Sequence, residues 1–181
     1  MYICQQFTNL RALNLTMQFR KARISDIPTI QEIAEATWRP TYGHILSEEQ
    51  TIYMLDMMYG TEVLERQIDS SIDFYLAEEE GNTLGYFSIE VIEPGKMKLH
   101  KIYLHPGFKS QGAGTKIIER IKEIAREKGV NQIELNVNKY NSAVHFYEKK
   151  GFIRAKEMVL DIGNGYVMDD YVMQLNLGPT Q

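Results

Sequence analysis

Cysteine is almost missing from this chain. Cys4 is the single one in 181 residues, which excludes an intramolecular disulfide and suits a reducing compartment. Long apolar runs are missing too, and none approaches the length of a membrane span. The first residues lack the basic start, apolar centre and small-residue cleavage site of a signal peptide. A cytoplasmic location is therefore expected, with no membrane partner. An excess of positive charge is also absent. With 20 Lys and Arg against 24 Asp and Glu, the formal charge is −4, which argues against a nucleic-acid binder with its basic stripe. No internal repeat or low-complexity tract occurs. What remains is ordinary for a globular domain: 44% hydrophobic and 24% charged residues, enough chain for one well-filled core and too little for two.

The order of elements follows from periodicity and punctuation. Residues 1–16 show no pattern and read as an extension, either mobile or an added start ahead of Met17. A strand is expected over Gln18 to Ala22. Ser25 and Pro28 mark a helix start whose apolar face is Ile27, Ile30, Ile33 and Ala34, with Pro40 barring continuation. Ser47-Glu48-Glu49-Gln50 opens a second helix as a capping box, and a third runs from about Thr61 to Asp69. Two strands meet at Glu80-Gly81-Asn82, and a third follows Glu93-Pro94-Gly95-Lys96. A helix to about Lys128 buries Ile117, Ile118, Ile121, Ile124 and Ala125, and Gly129 ends it. A strand over Ile133 to Val137, a short helix from Ser142 to Lys149 and a hairpin at Gly163-Asn164-Gly165 complete the pattern. This order implies an α/β sandwich around one mixed sheet of six to seven strands. The expected domain is 17–177, with 178–181 as a tail.

One stretch carries chemistry. From Lys98 to Leu104 the sequence is a strand, and Lys109-Ser110-Gln111-Gly112-Ala113-Gly114-Thr115 is a glycine loop entering a helix. Backbone N–H groups and a helix N-terminus then converge on one point, an anion site that suits a pyrophosphate. Gly112 and Gly114 allow close approach and unusual dihedrals. A nucleotide-triphosphatase loop is excluded, because G-x-x-x-x-G-K-[ST] is not formed.

A second block lies downstream: Asn141, Ala143, Phe146-Tyr147 and Gly151-Phe152. The two blocks together resemble the GNAT superfamily of acetyl-CoA-dependent N-acetyltransferases. The family's pyrophosphate loop is R/Q-x-x-G-x-G/A, and Lys109 departs from it at the first place, keeping a point charge but losing the bidentate fork. The resemblance spans roughly residues 17–177. It implies acetyl-CoA as co-substrate, no metal, and a pantetheine arm lying along the strand that contains Ile102 and Leu104. Cofactor contacts are expected from the backbones of Ile102 and Leu104, from Lys109, Ser110, Gln111, Gly112, Ala113, Gly114 and Thr115, and from Asn141, which on its own residues reads equally as a helix cap. Tyr147 is implied as the general acid that protonates the leaving thiolate, since a phenol is protonated near neutral pH.

By the resemblance, His100 occupies the strand position where many polyamine and protein acetyltransferases of the superfamily carry Glu, and its near-neutral pKa would let it accept an amine proton directly or through water; a structural histidine weighs equally. By alternation it would share the face of Ile102 and Leu104. Trp38 and Tyr42 are the expected substrate wall, with Glu35, Glu48 and Glu49 nearby to hold a cation. Asp169-Asp170 is a further acidic pair open to either reading. The leading expectation is acetylation of a primary amine of a small molecule, a polyamine or diamine before others. Acetylation of a protein or peptide amine is the alternative within the same chemistry. A non-catalytic acyl-CoA-binding domain is the alternative of another class. A homodimer stays open.

Overall fold

The computed structural model describes residues 17–108 and 112–178. The extension 1–16, the loop residues Lys109, Ser110 and Gln111, and the last three residues of the tail lie outside them. The chain runs β1 (Gln18–Lys21), α1 (Ile27–Tyr42), α2 (Glu48–Tyr59), α3 (Thr61–Ile68), β2 (Asp73–Glu79), β3 (Asn82–Glu93), β4 (Lys96–Leu104), α4 (Ala113–Glu127), β5 (Gln132–Asn138), α5 (Ala143–Lys149), β6 (Ile153–Gly163) and β7 (Tyr166–Asn176). The strands form one seven-stranded sheet in the order β1-β2-β3-β4-β5-β7-β6. Only the β4–β5 pair is parallel, as expected where α4 carries the chain across. The mixed α/β sandwich read from the sequence is the fold observed.

Each face of the sheet has its own apolar cluster. On one side α4 and α5 supply Ile117, Ile118, Ile121, Ile124, Val144 and Tyr147 against Phe87, Met97, Leu99, Leu135 and Met173. The isoleucines of α4 are at most 2% exposed, each stabilising by about 1.5–3 kcal/mol relative to exposure. The other side seats α1, α2 and α3 through Ile27, Ile30, Ile33, Trp38, Met54, Tyr59 and Leu64 on Phe74, Leu76 and Tyr86.

Two local expectations change. Ser25 is not the cap of α1. Residues Ile24–Asp26 form a 3-10 turn, and Asp26 is held by Arg20 at 2.8 Å and by the Arg23 N–H at 2.7 Å. Pro40 does not stop α1, which continues to Tyr42. Proline removes one backbone donor there, but the Trp38–Tyr42 ring contact at 4.8 Å and the Gly43 N–H on the Arg39 carbonyl at 2.9 Å hold the last turn. Ser47 caps α2 as expected, accepting from the Gln50 N–H at 3.1 Å.

The feature that positions the site is where strand pairing stops. β4 and β5 pair only from Lys96 opposite Gln132 to Leu99 opposite Leu135. Beyond that point β5 stays with β7 as far as Asn138, and β4 stays with β3 as far as Leu104. The two strands therefore part and leave a fork in the sheet. A β-bulge sits at its root: Leu99 faces Ile89 and Lys101 faces Ser88, so His100 is an extra residue.

Gly85 lets β3 hug the upper half of β4. A Cβ there would stand 2.2 Å from the Tyr103 carbonyl oxygen and 3.1 Å from the Leu104 Cα, so backbone would have to move. Gly85→Ala is expected to cost about 1–3 kcal/mol in urea unfolding and to weaken ligand binding in the fork. Unchanged stability together with unchanged binding would show that this contact does not set the strand's position.

Candidate functional site

The fork opens into a cavity of about 590 Å³, within the range of small-ligand sites. On the β4 side the hydrogen-bond register decides what faces it. The His105 N–H bonds the Leu84 carbonyl at 2.8 Å, and Tyr103 lies opposite Tyr86. Antiparallel alternation then turns the N–H and C=O groups of Ile102 and Leu104 away from β3 and into the fork. Among the described residues no strand pairs with this edge of Ile102 and Leu104, and their side chains pack on the α4 side.

The α4 N-terminus borders the same opening. Gly112 has φ 95°, a left-handed conformation that favours glycine, and a Cβ there would meet nothing within 4 Å. Gly114 serves a different need. A Cβ would come 3.2 Å from the Phe146 ring, so its absence lets α4 settle on α5. Ala113 is buried against the core. Of the expected pyrophosphate loop, Lys109, Ser110 and Gln111 lie outside the described residues. The described part of the site thus has an open strand edge, a cavity along it, and nearby a helix N-terminus without a side-chain cap among the described residues.

Tyr147 and Phe146 from α5 line the cavity. Tyr147 is 8% exposed, packs its ring on Phe152 at 5.7 Å, and its hydroxyl has no hydrogen-bond partner among the described residues. Burial, and then the nearby Tyr42, raise its pKa well above that of a free phenol, so it holds its proton at neutral pH. Asn141 is engaged within the protein. Its Oδ1 accepts from the Ala143 N–H at 2.9 Å and its Nδ2 donates to the Tyr42 hydroxyl at 3.3 Å. Its visible work is to satisfy the first N–H of α5 and to hold Tyr42.

On the opposite face the cavity is walled by Trp38, Tyr42, Met54, Met58 and Tyr59 from α1 and α2, with Val167 and Met168 from β7. Trp38 donates to the Tyr59 hydroxyl at 3.3 Å. Trp38 and Tyr42 are thus in the wall as expected, but their supposed acidic neighbours are not. Glu48 pairs with Arg39 at 2.6 Å on the surface, and neither Glu35 nor Glu49 lines the cavity.

The bulge corrects the expected facing of His100. Leu99, not His100, joins Ile102 and Leu104 in the α4-side cluster. His100 turns instead toward Glu90, with Nε2 2.9 Å from Oε2. It still lines the cavity, with its side chain 29% exposed. Burial, helped by Lys101 and Lys98, lowers its pKa against the pull of Glu90, which leaves a neutral ring near pH 7. One further group, Lys101, escaped notice in the sequence, and one of the ambiguous acidic pair, Asp170, faces the cavity. Lys101 reaches Gln67 at 3.0 Å beneath the Tyr59 ring, and burial lowers its pKa to about 8. Asp170 is 7% exposed and is the one carboxylate among the lining residues described.

The root of the fork is clamped by charge. Glu134 accepts from Lys98 at 3.0 Å and from Gln174 at 3.0 Å, with Lys96 at 3.1 Å, and Lys98 also donates to Asn136. Burial works to raise the Glu134 pKa, but the bonds from Gln174, Lys98 and Lys96 outweigh it and hold it at about 2.

Comparison with known proteins agrees with this geometry. The family model described as Acetyltransferase (GNAT) domain matches residues 45–173. The spermidine N(1)-acetyltransferase of Thermoplasma acidophilum is 29% identical over 144 residues, covering 76% of this chain and 89% of that protein. The thialysine N-epsilon-acetyltransferase of Bos taurus is 36% identical over 72 residues, or 39% of this chain and 42% of that one. Among solved structures, the PaiA N-acetyltransferase of Thermoplasma acidophilum in complex with coenzyme A superposes with a TM-score of 0.73 at 24% identity, covering 90% of this chain and 99% of that one. A GCN5-related N-acetyltransferase structure from Rhodopseudomonas palustris gives 0.76 at 19% identity, covering 90% and 96%. The chain belongs to the GNAT acetyltransferase family. It is an N-acetyltransferase with acetyl-CoA as co-substrate. No cluster of three or more His, Cys, Asp or Glu that could hold a metal occurs among the described residues, and none of their helices is long and apolar enough to cross a membrane.

A carboxyl whose pKa is lower folded than unfolded stabilises above its unfolded value and loses that contribution as pH falls. Glu134→Gln should therefore unfold at lower denaturant than the parent at pH 7. The gap should close as pH drops from the ordinary value of 4.5 toward about 2. A gap that does not change with pH would mean the charge on Glu134 is not what holds the fork.

Proposed function

We propose that this enzyme transfers the acetyl group of acetyl-CoA to a primary amine of a small molecule, a diamine or polyamine before others, by direct attack with Tyr147 as the general acid. The single observation that carries the reading is buried Tyr147, whose hydroxyl has no hydrogen-bond partner among the described residues, lining a cavity beside an open strand edge. When bound, acetyl-CoA supplies an activated acyl carbon and a thiolate leaving group. The chain's own residues supply the rest. Backbone groups of Ile102 and Leu104 are suited to hold an extended arm as an added strand, and an N–H at this edge can favour negative charge on a carbonyl oxygen. Gly112 to Thr115 at the α4 N-terminus, with Lys109, Ser110 and Gln111 before them, are suited to the pyrophosphate. Tyr147 holds a proton that a departing sulfur can take.

The small-molecule reading draws on the cover that α1 and α2 give to one face of the cavity. The preference for a diamine or polyamine draws on the spermidine-acetylating relative and on the aromatic wall of Trp38, Tyr42 and Tyr59, where a cation gains about 0.5–2 kcal/mol per well-placed ring.

Tyr147→Phe is expected to lower kcat by roughly a hundredfold or more while calorimetry finds the parent's affinity for acetyl-CoA. A kcat within threefold of the parent would remove Tyr147 from the chemistry. Thiol release on a panel of putrescine, spermidine, butylamine and a free N-terminal peptide should rank the first two highest. Activity confined to the peptide would move the enzyme to the protein-acetylating branch.

A further inference from the structure

Amine acetylation needs a group that draws the ammonium in and removes its proton, and Tyr147, already protonated, cannot be that group. The cavity offers two candidates. His100 already faces a carboxylate, Glu90, at 2.9 Å, and keeps a substantial part of its side chain in solvent. Asp170 differs in each respect. It lies on β7 opposite Asn138 of β5 and Met158 of β6, so alternation points it to the same face as Asn136 and Asn138, at the floor of the fork. Its neighbour Asp169 points the other way and is neutralised by Lys139 at 2.6 Å. Asp170 is 7% exposed and forms no hydrogen bond or ion pair within contact distance among the described residues.

A buried carboxylate without a partner is costly, and such a group facing a cavity marks a place where a ligand completes the pairing. The surrounding charges bear this out. Lys98 on β4 and Lys139 beyond β5 act on Asp170 only through space, Lys98 being held by Glu134 and Asn136, and Lys139 by Asp169 and Glu157. From α1 the Tyr42 phenol acts through space on Asp170 and on Tyr147 alike, and all three line the cavity.

Resting on the N-acetyltransferase reading, we infer that Asp170 docks the reacting ammonium of the acceptor and takes its proton. The nitrogen sheds two protons as its new bond to the acyl carbon forms and the carbon–sulfur bond breaks. One passes to Asp170 and on to water. The other replaces the proton that Tyr147 gives to sulfur. His100, held by Glu90, is then not the base.

Burial, with Asp169 adding to it and Lys98 and Lys139 opposing, places the Asp170 pKa at about 6. The carboxylate form needed for docking is therefore lost below that pH. The same raised pKa means that ionised Asp170 destabilises the fold, an effect absent below its ordinary value of 3.8 and complete above about 6.

Asp170→Asn keeps the shape and removes the charge. Its kcat/KM for spermidine at pH 8 should fall at least a hundredfold, and the acidic limb near pH 6 seen in the parent should vanish. Acetyl-CoA affinity should stay within threefold, and Asp170→Glu should recover part of the activity. His100→Gln should keep the acidic limb. Spermidine should raise the melting temperature of the parent and not of Asp170→Asn. Stability without ligand should be equal to the parent's at pH 4 and higher at pH 8. An Asp170→Asn enzyme that keeps its acidic limb, or is stabilised by spermidine as much as the parent, overturns the inference. A parent that acetylates no amine on the panel overturns the proposed function instead; the melting shifts with spermidine still decide the role of Asp170.

Discussion

Everything in the site depends on one interruption: the parallel ladder between β4 and β5 ends after Leu99 and Leu135. A sheet gains from pairing each backbone group, so an open edge in its middle persists only if something holds the strands apart. Here the bulge at His100 turns the upper half of β4, while β3 and β7 keep the two strands engaged on their outer sides. Glu134, bound by Lys98 and Gln174, fixes the root. The result is a half-buried backbone edge with no strand paired to it among the described residues, an arrangement that a ligand with amide groups can complete.

The two faces of the fork then divide the work. Toward α4 and α5 the cavity is apolar, with Ile102, Leu104, Val137 and Phe146. Toward α1 and α2 it is aromatic and carries the charged groups Lys98, Lys101 and Asp170. The cations are each occupied by partners within the protein, Lys98 by Glu134 and Asn136 and Lys101 by Gln67 and two rings. Asp170 is left to the cavity. Asp170, raised to about 6, and Tyr147, which keeps its proton at neutral pH, have their pKa values set far apart within one cavity.

Most elements were legible in the sequence because their signals are local. The isoleucines of α4 recur at helical spacing, Ser47 caps α2, and Gly163-Asn164-Gly165 turns the last hairpin. The bulge at His100 left a trace that simple alternation passes over: two polar residues, His100 and Lys101, separate Leu99 from Ile102, and with the extra residue the His100 side chain changed faces. Pro40 misled because a proline near a helix end costs little when ring packing holds the last turn. Asp169 and Asp170 are chemically identical neighbours, and only the register of β7 against β5 tells the inward one from the outward one. The expected acidic wall of Glu35, Glu48 and Glu49 was adjacent in sequence to Trp38 and Tyr42 but not in direction, because helix faces rather than sequence distance decide what meets the cavity.

Backbone amide hydrogen exchange with and without acetyl-CoA tests the central claim most directly. The account predicts that the Ile102 and Leu104 amides slow markedly on addition of acetyl-CoA, while Tyr103, already bonded to β3, changes little. Slowing confined to regions outside β4 and the α4 N-terminus, or none at Ile102 and Leu104 under saturating acetyl-CoA, would contradict it.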